Sequence, residues 1–287
     1  MINPIHPTPY PDVNAVLREL LVGVQAVLGQ HMVGMYLEGS LVNGDFDESS
    51  DIDFVVAADI YLGAESAKDF FAALYDLHVQ IAAGASPWVI QLEGSYLSQH
   101  ALRRYDPAEA LHPNLERGVG ERLKLVKHGE WWVTHRSILR ERGITLVGPA
   151  PQTLMDPVTP DDLRRGMAVV LQEWAMPFLA NPAPLESPGY QSYIVLSLCR
   201  ILYTLRYGTV VSKRVAAQWA IKTLGEPWIA LIEQAWETRQ SGEWAGQVDM
   251  RQKTLAFIRY VLEQNQSFRF PFDNGSNGGD NQSDLGR

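Results

Sequence analysis

The sequence contains a single cysteine, Cys199, in 287 residues. One thiol excludes an intramolecular disulfide and leaves no zinc signature, which fits a reducing cytoplasm. No apolar run is long enough to span a bilayer, so a helical membrane protein is excluded. The opening stretch, MINPIHPTPYPD, lacks a basic segment followed by an apolar core, and no secretory signal is expected. Positive charge is also in short supply: 24 Lys and Arg against 33 Asp and Glu leave a net charge of −9. Polyanions call for a basic surface, so a nucleic-acid partner is not expected, whereas a small cationic molecule suits this balance. Internal repeats are absent, and so is the Gly-x-Ser-x-Gly elbow that would point to a serine hydrolase.

What is present reads as an ordinary globular chain, 46% hydrophobic and 20% charged, long enough for two domains. Helical spacing of Val13, Val16, Leu17, Leu20, Leu21, Val24, Val27 and Leu28 predicts a helix over 12–29, with Asp12 as its N-cap. A strand over Val33 to Leu37 meets Gly39-Ser40, and a polar loop leads to a second strand at Asp51-Ile52-Asp53-Phe54-Val55-Val56. Phe70, Leu74, Leu77 and Ile81 mark a helix over 66–83, and Trp88 to Glu93 reads as a third strand. Residues 95–130 carry no clear period. Gly148-Pro149-Ala150-Pro151 reads as a connection, after which only helices are expected, at 161–175, 190–206, 213–224, 227–239 and 251–264. The expected architecture is an α/β domain with a mixed sheet over 1–154 and an all-α domain over 155–271. A polar tail over 272–287 is expected to be disordered, and a monomer is favoured.

The chemistry-bearing segment is Gly39-Ser40, a short polar loop, then Asp51-Ile52-Asp53. Alternate strand residues share a face, so Asp51 and Asp53 present two carboxylates side by side. Such a pair repels itself unless a cation intervenes, and magnesium binds through one or two carboxylates plus substrate phosphates. Gly39 permits close backbone approach, while the Ser40 hydroxyl and the amides that follow can hold phosphate oxygens. Glu93, on a strand that can lie beside the first, would either accept a proton from an attacking hydroxyl or complete a metal site. A bare Asp-x-Asp is common on solvated loops; the flanking strand, corner and apolar run give this one its meaning. His112, His128 and His135 show no ligand spacing, and Trp131-Trp132 reads as core or interface.

Met35 to Ser40 and Asp51 to Phe54 resemble the nucleotidyltransferase motif of the DNA polymerase β superfamily. The likeness is specifically to the aminoglycoside (3'')(9)-adenylyltransferases, which inactivate streptomycin and spectinomycin. The likeness continues through Leu146-Val147-Gly148-Pro149, Asp156-Pro157-Val158, Leu196 to Tyr203 and Ser212 to Ala220. It implies transfer of AMP from ATP, with magnesium, to a hydroxyl of such an antibiotic. By matching position, Ser40 and Ser50 would hold phosphates, Asp51 and Asp53 would bind magnesium, and Glu93 would be the catalytic base. Arg200 and Lys213 would reach the triphosphate from the helical half. Arg200 also lies on a polar strip of its helix with Tyr193, Ser197, Thr204 and Tyr207.

The chain departs from that family on the acceptor side. Glu186 and Tyr190 stand where the family has two acidic contacts to the antibiotic, and Trp236 replaces a nucleotide-contacting tyrosine. Two other acceptors keep the same chemistry: a protein side chain or an RNA end, as in toxin–antitoxin nucleotidyltransferases. A third reading is a nucleotide-binding sensor without turnover, against which the retention of Asp51, Asp53 and Glu93 argues.

Overall fold

Helix α1 (Pro11–Leu28) starts one residue earlier than expected, because Pro11 takes the first turn and Tyr10 the cap position. Asp12 lies inside that turn, and the entering chain is fastened instead by the Asn14 amide, which exchanges hydrogen bonds with the Thr8 backbone at 2.8 and 3.1 Å. The computed structural model describes residues 7–48, 50–241 and 250–267. The tail expected over 272–287 lies outside the described residues.

After α1 the chain runs through β1 (Met32–Leu37), the short α2 (Gly39–Asn43), β2 (Ile52–Ala58), α3 (Lys68–Ala82) and β3 (Leu92–Ser98). It continues with α4 (Gln99–Arg103), β4 (Leu111–Leu115), β5 (Lys124–Lys127), α5 (Val133–Arg142), β6 (Ile144–Val147) and α6 (Pro151–Leu154). The six strands form one mixed sheet in the order β5-β4-β3-β2-β1-β6. The β2–β3 pair is parallel and the other neighbours are antiparallel.

Alternation along β2 splits its side chains between two buried layers. Phe54, Val56 and Ala58 face α1 and α3, where Val13, Leu17, Leu20, Leu74 and Ile81 complete a core. Val55 and Ala57 face the other way, onto Leu97, Leu102, Trp132 and Leu139. Each large aliphatic buried in these layers contributes about 1.5–3 kcal/mol. The strand expected over Trp88–Glu93 begins later. Ser86 accepts a hydrogen bond from the Trp88 amide at 3.3 Å, and Pro87 starts a single helical turn ending at Gln91. That apolar run had length for either state, and the Ser-Pro start decided it. The segment 95–130 holds the rest of β3, then α4, β4 and β5; the edge strand β5 is short, mostly exposed and bounded by Lys124 and Lys127.

The remainder is helical. α7 (Pro160–Val170) opens with a reciprocal cap between Thr159 and Asp162 and then widens over Leu171–Ala175, where Met176 N–H reaches back to the Leu171 carbonyl. α8 (Pro177–Ala180), α9 (Pro188–Tyr207), α10 (Lys213–Leu224), α11 (Trp228–Ser241) and α12 (Arg251–Ser267) follow. α9 is central and buried on nearly every side. Ser197 and Thr204, expected on a cleft-facing strip, are therefore buried, while Tyr193 and Tyr207 at its ends are exposed. Val133 and Ile138 of α5 pack with Leu163 and Val210, joining the two halves through a small shared core.

Candidate active site

Asp51 and Asp53 extend the row of Val55 and Ala57 past the start of β2, and Glu93 stands likewise ahead of Ser95 and Leu97. The parallel register pairs Asp53 directly with Glu93, so both point to one face. The three carboxylates far apart along the chain thus meet at the N-terminal ends of β2 and β3. Burial, reinforced by Glu93, Asp51 and Glu38, pushes the Asp53 carboxyl well above its ordinary range. Burial, with Asp51, pushes Glu93 up to about 7. Arg117, just after β4, ion-pairs with Asp51 and draws Glu93 the other way.

The Gly-Ser corner fits over this cluster. Gly39 has φ +66°, and a Cβ there would collide with the Asp53 carboxylate. The Glu38 amide donates to the Asp53 carbonyl at 3.1 Å, fixing the corner to β2. Ser40 Oγ is buried and has no hydrogen-bond partner among the described residues, an orphan that a phosphate oxygen would satisfy. Ser50 is turned elsewhere: its hydroxyl donates to the Asp47 carboxylate at 2.9 Å and accepts from the Asp47 amide at 3.0 Å.

The helical half supplies the opposite charge. Arg200 of α9 acts on Asp53 and Glu38, and Lys213, the first residue of α10, acts on Asp51 and Asp53. The Lys213 ammonium lies 4.6 Å from the Tyr193 ring centroid. Burial, then Arg200 and Arg239, lowers Lys213 to about 7. Arg239 of α11 lies 3.9 Å from Asp47. Tyr190 stacks on Tyr193 with centroids 5.7 Å apart, and Tyr193 meets Trp174 edge-on at 6.0 Å, on the widened turn. Glu186 stays exposed on the turn before α9 and makes no hydrogen bond or ion pair among the described residues.

Sequence reading missed Glu38, Arg117, His135 and Arg239. Glu38 is 6% exposed and holds His135 Nδ1 at 2.8 Å, while His135 stacks on Trp132 and also lowers Glu93. The one available signal was an acid closing an apolar strand. His112 and His128 are buried 3.3 Å apart at their Nδ1 atoms, with His112 Nε2 3.2 Å from Ser95 Oγ, and burial lowers each to about 4. Trp132 is core, as expected, and Trp131 is half-buried.

Among the described residues no three His, Cys, Asp or Glu side chains form a ready-made metal cage. Paired carboxylates with surplus buried charge nonetheless fit a hard cation that completes its shell with phosphate oxygens, as magnesium does. Carboxylates on parallel strand ends, a Gly-Ser corner and facing cations on a helical half are the parts of a nucleotidyltransferase.

Comparison with known proteins agrees. Residues 153–264 match the family described as aminoglycoside adenylyltransferase, C-terminal domain. An aminoglycoside (3'')(9) adenylyltransferase of Escherichia coli is 25% identical over 273 residues, 87% of this chain and 94% of that protein. A spectinomycin 9-adenylyltransferase of Staphylococcus aureus is 25% identical over 245 residues, 83% of this chain and 89% of that one. The fold is shared with the crystal structure of spectinomycin adenyltransferase AAD(9) from Enterococcus faecialis, solved with ATP and spectinomycin. There the TM-score is 0.63 at 14% identity, covering 88% of this chain and 98% of that one. The chain is thus similar to the aminoglycoside (3'')(9)-adenylyltransferases along most of its length, and residues 153–264 match the C-terminal domain of that family's model.

Proposed function

We propose that the protein transfers AMP from ATP, with magnesium, to a hydroxyl of an aminoglycoside or aminocyclitol antibiotic of the streptomycin or spectinomycin type, giving resistance. The observation that carries this reading is that Arg200 and Lys213 of the helical half lie within electrostatic reach of Asp51 and Asp53, beside which Glu93 is paired in register. Asp51 and Asp53, with Glu93 beside them, would hold magnesium, which when bound supplies charge neutralisation at the phosphates. Ser40 would donate to a phosphate oxygen, and Arg200 and Lys213 would bind the leaving pyrophosphate portion. Glu93, poised near 7, would take the proton as the acceptor oxygen bonds to the α-phosphorus and the bond to the bridging oxygen breaks. Pyrophosphate leaves and the acceptor carries AMP. Tyr190, Tyr193 and Trp174 offer aromatic faces beside the cleft, suited to the ring and cationic groups of such an acceptor.

The net charge of −9 supports a cationic small molecule over RNA. The test is to incubate the protein with magnesium, ATP and a panel of aminocyclitols and aminoglycosides, and to weigh the products by mass spectrometry. An AMP adduct on an antibiotic, with pyrophosphate released and raised resistance in cells expressing the protein, is expected. Pyrophosphate release with no antibiotic adduct would move the acceptor to another class; no turnover with any acceptor would favour the sensor.

A further inference from the structure

Three cations from three successive helices crowd one place. Arg239 of α11 lies near enough to Arg200 and Lys213 to disfavour the charge on both. Asp53 and Glu38 offset Arg200, and Asp51 and Asp53 offset Lys213, in part; the like-charge repulsion that remains raises the energy of the folded protein. Asp47 answers Arg239 only in part. At 3.9 Å the pair is too long for a hydrogen bond, so charge alone holds it, and most of the guanidinium's five donors are not used on that carboxylate. The side chains are 22% and 44% exposed, so solvent reaches the contact from the Asp47 side and weakens it.

Asp47 is itself part of the phosphate-side loop. Its carboxylate and amide both engage the Ser50 hydroxyl, and Ser50 directly precedes Asp51. The Asp47–Arg239 pair therefore bridges the loop that ends at the carboxylates and the helix that ends at the cations.

We propose that Arg239 is a third triphosphate-binding cation, parked against Asp47 in the nucleotide-free protein and transferred to a phosphate oxygen when ATP enters the cleft. A phosphate outcompetes Asp47 because it carries more charge and offers bidentate oxygens to the planar guanidinium. The transfer also frees the Asp47 loop from α11, so nucleotide occupancy is felt at the boundary between the halves. The proposal rests on the reading of the cleft as an ATP site.

Calorimetric titration of magnesium-ATP and of AMP into wild type, Arg239→Ala, Arg239→Lys and Asp47→Asn tests it. Arg239→Ala is expected to weaken ATP binding about tenfold or more, the scale of a lost charge-assisted contact, and to change AMP binding by less than about threefold. Arg239→Lys should recover part of the loss. Asn keeps the acceptor oxygen for Ser50 but drops the charge, so Asp47→Asn should bind ATP as well as wild type or better. Thermal melts without nucleotide separate this from a structural ion pair. If Arg239→Ala and Asp47→Asn lose ATP affinity and melting temperature together, the pair is an interdomain brace and the proposal is overturned. Unchanged ATP affinity in Arg239→Ala overturns it while leaving the ATP site intact. Failure of wild type to bind ATP removes the underlying reading and the proposal with it.

Discussion

Gly39 and Gly44 bracket α2 and share a positive φ, +66° and +75°, yet differ in what a methyl group would meet. At Gly39 a Cβ would collide with the Asp53 carboxylate; at Gly44 nothing lies within 4 Å. Alanine in this backbone region costs about 1–2 kcal/mol at either site. Gly39→Ala must in addition push Asp53 aside or open the corner. A displacement near 1 Å at a reacting centre lowers turnover roughly 10²-fold. Both variants should therefore lose stability in urea unfolding, Gly39→Ala the more, while only Gly39→Ala loses about two orders of magnitude in kcat. Pyrophosphate release, measured at saturating magnesium and ATP, reads the difference. Equal activity in the two variants would refute the idea that the glycine exists to admit the carboxylate.

Asp51→Asn and Asp53→Asn should each abolish transfer, and Asp53→Asn should stabilise the metal-free fold by relieving repulsion; activity retained in either, by the same assay, would remove the metal-site assignment. Glu93→Gln should cut kcat roughly 10²-fold or more with ATP affinity nearly unchanged. Because the folded pKa of Glu93 is raised to about 7, the native state binds more protons than the unfolded chain from about 4.5 upward. Stability of the metal-free wild type should fall across that window relative to Glu93→Gln, which denaturation at pH 5 and pH 7.5 would reveal; parallel curves would contradict it. Lys213, held near 7, should take up part of a proton when the triphosphate arrives at pH 8. Calorimetry in two buffers of different ionisation heat would detect the uptake, and Lys213→Arg should lose it. Acceptor affinity should rise when a non-hydrolysable ATP analogue is present, and equal affinity with and without it would indicate independent sites.

The carboxylate site was legible because strand period and local motif coincide. Asp51 and Asp53 follow period two into Phe54-Val55-Val56, and Gly39-Ser40 ends an apolar run. Arg200 and Lys213 came from resemblance, since a cation on a helix face looks the same whether it meets solvent or a cleft. Arg117, His135 and Arg239 were illegible for a related reason, each meeting its partner from another element, while Glu38 offered one signal, an acid closing an apolar strand. The β3 boundary was missed because Trp88-Val89-Ile90 fits a helical turn and a strand equally well over so short a span. The buried side of α9 was misjudged because period alone gives one apolar face, whereas a central helix is packed all round.

The parallel seam between β2 and β3 has a consequence for how the enzyme comes into being. Parallel strands need a crossover, here the whole segment from Asp59 to Gln91 with α3 inside it, before the first residue pair can meet. The Asp51–Asp53 half of the site can therefore be synthesised, and β1 can pair with β2, while Glu93 still has no place to stand. Loop closure must come first, so the seam belongs to the slow, non-local part of folding. A one-residue slip along it would send Glu93 to the α1 and α3 side of the sheet, with strands still paired and Asp51 and Asp53 left without it. Competence to transfer a nucleotide is thus a readout of strand registration, and turnover during refolding should lag the recovery of helical signal.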